Sequence, residues 1–377
     1  MDSKTLNNAE IIDLLKEVKT SIQEKKGRLF FFVADTGGTP MASIEHIYKM
    51  AKQLDREGYD VIMLHEKEKF IGVDGWLGKE HSSLRHVSLV GMNENPEFKI
   101  NGADFFFIPE LYADFIKKLK ESKLPSETVV ICQSHSFIFK YLNAGEHWSY
   151  LGVENVITTS EKMKLFLEEY QPVKQIHVIN PIITKDFSPS TLPQKPVISI
   201  ISRNTEEIER IAKLFYQKYP MYSWISFKTL GNMKKADFAN SLKETFLAIW
   251  LDDYATFGTF PLEAMASGVP VMIKIPDLIP EWAEKAEDGR IGLADNAIYI
   301  SNVLSMPDYI AKFVESWLLD DFPNTLYENM KETPKTYSEE NFKEQTMRVF
   351  NKIFEQKINK LTNTIEKYEN NIDNSNT

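Results

Sequence analysis

Residues 257–271 read FGTFPLEAMASGVPV. Gly258 frees the backbone just before a helix, and Pro261 suits a first helical turn, where its missing N–H costs nothing. The residues from Phe260 to Ala266 favour a helix, which Gly268 closes. An apolar run from Val269 to Ile275 follows and reads as a buried strand. Loop, helix and buried strand in immediate succession form the repeating unit of a parallel α/β sheet.

The same alternation extends in both directions. Upstream, strands are expected at 197–201, 223–227 and 246–251, with helices at 206–218 and 236–242. Downstream, 278–286, 306–319 and 339–354 read as helices. Further upstream, Pro181, Pro189, Pro193 and Pro196, with Ser and Thr between them, read as a linker. Before the linker lies a second α/β series. An apolar run at 29–34 ends in Asp35-Thr36-Gly37-Gly38-Thr39-Pro40, and a helical pattern over 42–57 places Ile44, Ile47, Tyr48, Ala51 and Leu54 on one face. Gly58 ends that helix, and strands follow at 59–64, 105–108, 129–133, 155–158 and 176–179. Helices are expected at 111–121 and at 161–170, the latter capped by Ser160. The expected organisation is an N-terminal helix within 1–27, a first α/β domain over 28–190 and a second over 191–337. A helix over 338–355 crosses back to the first domain, and a polar tail over 356–377 frays into disorder.

The 377 residues exceed one ordinary core and suit two domains of roughly 150 residues each. A net charge of −10 repels phosphate backbones and argues against nucleic acid as a partner. It also argues against broad attachment to anionic membranes, while a local basic patch would still allow peripheral membrane association. Cys132 is the one cysteine, so an intramolecular disulfide is excluded; its apolar run suggests a buried thiol. No segment approaches the roughly 18 apolar residues that span a bilayer. The first ten residues are polar and lack a signal-peptide core, so a cytoplasmic location is expected.

Three places could carry chemistry. Gly37 and Gly38 follow a buried strand and precede a helix, an arrangement that admits a phosphate or serves as a plain tight turn. Ser202 and Arg203 stand at the end of a strand, where open α/β sheets bind ligands and where an arginine can form paired bonds to phosphate or simply pair with Glu206 or Glu207. In the third, the exposed amides of Gly258, Thr259 and Phe260 suit a diphosphate, and Glu263, one turn on, can accept from both hydroxyls of a ribose or merely complement the helix dipole. No His and carboxylate spacing implies a metal, and no nucleophile elbow is present.

Residues 257–271 resemble the nucleotide-sugar motif of family-4-type retaining glycosyltransferases, E-G-F-G-x-x-x-L-E-A-M-A-x-G-x-P-V. Other segments resemble that family in the same order: 156–167 (VITTSEKMKLFL), 178–189 (VINPIITKDFSP) and 288–293 (DGRIGL), with the Gly37-Gly38 loop at the place of the acceptor-side glycine loop. The resemblance covers most of 28–320. It implies a GT-B fold, two Rossmann-like domains facing across a cleft, with the acceptor on the first and the donor nucleotide on the second. It also implies that Glu263 holds the ribose, Arg203 the diphosphate, and 230–233, including Gly231 and Met233, the base. His135 would reach the transferred sugar. The implied partners are a nucleotide sugar, entering as substrate with no further cofactor or metal, and a glycan, lipid-linked or protein-linked acceptor.

Two departures bear on activity. The family's first motif glutamate falls at Ala255, and its lysine five residues after the arginine falls at Ile208. A lost donor in such a site is often worth roughly 2.7–4 kcal/mol of transition-state stabilisation. Lys228, Lys234 and Lys235 are candidates for the missing charge. The alternatives to an active transferase are a catalytically weak GT-B subunit of a glycan-assembly complex and a sugar-nucleotide epimerase.

Overall fold

The computed structural model describes residues 7–123, 125–190, 194–202, 204–252, 256–283 and 296–375. Two parallel sheets form its frame. The first contains β1 (Arg28–Val33), β2 (Asp60–His65), β3 (Arg85–Ser88), β4 (Phe105–Pro109), β5 (Glu127–Cys132), β6 (Asn155–Thr158) and β7 (Gln175–Val178). They run in the order β3-β2-β1-β4-β5-β6-β7, the doubly wound Rossmann arrangement with one added strand. The second contains β8 (Val197–Ile201), β9 (Ser226–Thr229), β10 (Leu247–Trp250), β11 (Val271–Lys274) and β12 (Ile298–Ile300). Its order, β12-β11-β10-β8-β9, is the other common doubly wound pattern.

The aromatic runs of β1 and β4 explain how the first sheet packs. Successive strand residues point to opposite faces. Phe31 and Phe107 stack at 4.6 Å on one face, and Phe30 and Phe106 at 4.9 Å on the other. Helices must therefore cover both. The first face is closed in part by a helix from the far end of the chain, Glu339–Ser375. Its Phe350 lies 4.9 Å from Phe107, and its Phe354 lies 5.0 Å from Phe105 and 5.3 Å from Tyr59.

That helix crosses back to the first domain as expected, but it does not end near 355. It continues over the segment read as a fraying tail, because Leu361 and Ile365 are buried and Lys16 pairs with Glu369 at 2.9 Å. Lys357 and Lys360 also reach Glu127 at 3.2 and 3.5 Å. Cys132 is buried, as its apolar run indicated. No helix among the described residues is long and apolar enough to cross a membrane.

Between the domains, Asn180 follows β7 and forms a junction. Its side chain donates to the Thr159 carbonyl at 2.9 Å and to Glu281 at 3.1 Å. It also exchanges bonds with Gln345 of the crossing helix: Asn180 N–H donates to Gln345 Oε1 at 2.8 Å, and Gln345 Nε2 donates to Asn180 Oδ1 at 2.9 Å. First domain, second domain and crossing helix thus meet on one side chain.

Candidate active site

In a doubly wound sheet, the crevice opens where strand order reverses. That point lies beyond β1 and β4 in the first sheet and beyond β8 and β10 in the second. The loops leaving β1, β8 and β10 carry Gly37-Gly38, Ser202 and Gly258.

Gly37 and Gly38 have φ of 61° and 82°, a left-handed turn that glycine adopts without strain. Asp35 fixes the turn: its carboxylate accepts from Gly37 N–H at 3.0 Å and, more distantly, from Ile71 N–H at 3.4 Å. The helix Ala42–Arg56 follows, and no side chain caps its start. Beyond β8, Ser202 Oγ accepts from Asn204 N–H at 3.0 Å, and Asn204 caps the helix Thr205–Lys218. Arg203, Ala255 and residues 288–293 lie outside the described residues.

Gly258 begins the helix Thr259–Ala266, whose start also has no side-chain cap. Its φ is 71°, and a Cβ there would lie 2.7 Å from the Trp250 ring. The close approach that demands glycine is therefore to an indole at the end of β10. Phe260 turns its ring into the core beside Phe238, so only its amide can serve a ligand. Thr259 is partly buried at the cleft.

Glu263 is 5% exposed and faces this cleft, which is also lined by Glu45, His46 and Lys49 of the first domain and by Pro181 and Ile182. Its Oε1 accepts from Lys235 Nζ at 2.6 Å. Lys235 also donates to Glu45 Oε2 at 3.2 Å, and Lys49 pairs with Glu45 at 2.5 Å. Burial opposes the charge on Glu45, but Lys235 and Lys49 outweigh it and hold its carboxyl at about 2. Burial likewise opposes the charge on Lys235, and Glu263 and Glu45 outweigh it, raising its ammonium above the ordinary lysine range. Of the three lysines considered for the missing charge, Lys235 is brought to the cleft, and its ammonium is taken up there by two carboxylates, Glu263 and Glu45. Lys228 donates to Ser241 at 3.0 Å, and Lys234 is exposed before the helix Lys235–Lys243. Ile208 is buried in the core of the second domain and contributes no charge.

His135 opens the helix His135–Tyr141. Its Nε2 lies 3.3 Å from Ser136 Oγ, and burial lowers its pKa against the opposing pull of Asp277 from the second domain. The turn before it is held by buried Glu110, whose Oε1 accepts from Gln133 N–H and Ser134 N–H, each at 2.9 Å. The second domain reaches this turn too, through Thr256 Oγ1 donating to the Gln133 carbonyl at 2.5 Å. Gly231 is exposed and Met233 partly buried beyond β9, where 230–233 was expected to line a base. Among the described residues, no group of His, Cys, Asp and Glu is arranged to hold a metal ion.

Glu45, Lys49, Glu110 and Thr256 did not emerge from the sequence as site residues. The available signal was the i,i+4 spacing of Glu45 and Lys49, which reads equally well as a solvated helix face.

No family model matches the chain. It is 24% identical over 195 residues to the alpha-1,6-glucosyltransferase of Actinobacillus pleuropneumoniae serotype 7 (strain AP76), a match spanning 51% of this chain and 58% of the relative. Sucrose-phosphate synthase from Thermosynechococcus elongatus is similar in structure, with a TM-score of 0.63 at 12% identity, covering 88% of this chain and 100% of that one. S. aureus TarM, solved with UDP, gives 0.61 at 10% identity over 86% of this chain and 100% of TarM. Anabaena HepE, solved with UDP-glucose, gives 0.61 at 12% identity over 86% of this chain and 99% of HepE. The chain therefore has the GT-B fold of glycosyltransferases, with two Rossmann-like domains facing across a cleft and a C-terminal helix returning to the first.

Proposed function

We propose that this protein transfers a sugar from a nucleotide-diphosphate sugar to a glycan, lipid-linked or protein-linked acceptor. The reading is carried by Glu263, a buried carboxylate facing the interdomain cleft one turn into a helix with an uncapped start. In this reading Glu263 accepts from the ribose hydroxyls, while the amides at 258–260 and Arg203 meet the diphosphate. Ser202 supports the same loop, and Gly231 and Met233 border the base. The acceptor approaches past Gly37 and Gly38, and His135 faces the sugar. The bond from the anomeric carbon to the diphosphate breaks with its electron pair going to phosphate. The acceptor hydroxyl bonds that carbon on the same face and gives its proton to the departing diphosphate oxygen. Retention and the absence of a metal requirement rest on the family resemblance. The GT-B relatives solved with UDP and with UDP-glucose favour a uridine nucleotide as the first to test.

A second reading is a catalytically weak GT-B subunit of a glycan-assembly complex. It is favoured by Ile208, an apolar residue buried in the core at the position where the resemblance places a lysine.

The test is thermal shift against UDP, GDP, ADP, CMP and their sugars, where a ligand at about 100 times its Kd adds roughly 2.7 kcal/mol of stability. Glu263→Ala is expected to weaken nucleotide binding by roughly 1.5–3 kcal/mol. Unchanged affinity in a folded variant removes Glu263 from the site. Nucleotide binding without sugar release or transfer would favour the subunit reading.

A further inference from the structure

Lys235 stands where three parts of the chain meet. Its Nζ lies 2.6 Å from Glu263 in the second domain and 3.2 Å from Glu45 in the first. It also lies 4.9 Å from the ring of Phe187, on the connection between the domains. With Lys49 on the far side of Glu45, the row Lys49–Glu45–Lys235–Glu263 alternates in sign across the domain boundary. Glu45 and Glu263 are 8% and 5% exposed, so the row is largely shielded from water.

A buried charge deprived of its partner is strongly disfavoured. Ribose hydroxyls donating to Glu263 would compete with Lys235 for the same carboxylate. Lys235 then needs another acceptor, and Glu45 already stands within bonding distance. The lysine is thus shared between the two domains.

We infer that Lys235 is a positioning residue that passes from Glu263 to Glu45 when a nucleotide engages Glu263. Donor binding on the second domain then tightens that domain's hold on the helix Ala42–Arg56 of the first. Glu45, on the first-domain side of the cleft, contributes to nucleotide affinity by receiving the displaced lysine. The inference rests on the donor-site reading of Glu263.

Calorimetric titration with UDP, GDP and ADP tests it in four proteins: wild type, Glu45→Gln, Lys235→Met and the double variant. Glu45→Gln is expected to weaken the nucleotide that binds by about tenfold, within the usual range of coupling between sites. Lys235→Met is expected to bind as tightly as wild type or more so, and adding Glu45→Gln to it is expected to change nothing. Equal affinity in wild type and Glu45→Gln, or a full loss from Glu45→Gln in the Lys235→Met background, overturns the inference while leaving the donor site intact. No binding by wild type removes the donor-site reading and this inference together. If Glu45→Gln does not fold, Lys235→Met alone decides, and an affinity well below that of wild type overturns the inference.

Discussion

Glu110 sits in the core of the first domain, 2% exposed, and accepts two main-chain N–H bonds from the turn that carries His135. Burial pushes its carboxyl from 4.5 up to about 7, although the two amides and its own N–H pull the other way. A folded value above the unfolded one means that folding favours the protonated form. Its contribution is therefore fully present below about pH 4.5 and is lost as pH rises through about 7. Glu110→Gln keeps an acceptor oxygen and cannot ionise. Measured by urea unfolding, its stability relative to wild type is expected to rise between those two pH values, and parallel curves would refute the assignment. At this scale the helix that carries Glu263 was legible from Gly258, Pro261 and Gly268. Glu110 was not, because its role comes from a turn 23 residues away in sequence.

Strands with uniform apolar runs, such as β1 and β4, could be read directly. Among the edge strands, β7 was expected close to its place, at 176–179, but β3 and β12 were not. β3 has the sequence RHVS, and β9 begins at Ser226, later than expected, because Ile225 N–H is bonded back to the Tyr222 carbonyl in a turn. Helix faces were legible where they meet their own sheet. In Ala42–Arg56 the expected stripe is buried, but so are Glu45, paired with Lys235 of the second domain, and His46, packed against Phe342 of the crossing helix. The crossing helix shows a related effect: its polar continuation stays ordered through partners at the opposite end of the chain. Phe350 is its deepest anchor, fully buried against Phe31 and Phe107. Phe350→Ala is expected to cost roughly 3–5 kcal/mol in equilibrium unfolding. A loss under 1 kcal/mol would mean that the helix docks through its other contacts.

Across the whole molecule, the two-domain plan was readable from the proline-rich break and the restart of α/β alternation. The contacts that orient the domains were not, since they join residues far apart in sequence. Asn180 concentrates several of them. Asn180→Ala removes its side-chain bonds to Thr159, Glu281 and Gln345. The domains should then unfold more independently, seen in scanning calorimetry as a wider separation between two heat-absorption peaks. An unchanged trace would assign the coupling to the Lys235 bridge and the Thr256 contact instead.

The crossing helix also sets an order of events during synthesis. Domains ordinarily fold as they emerge, the N-terminal one first. Here the cover over Phe105 and Phe107 belongs to Glu339–Ser375, which the ribosome makes only after the whole second domain. The domain translated first is therefore finished last. Throughout that interval it presents an aromatic sheet face to whatever holds the nascent chain.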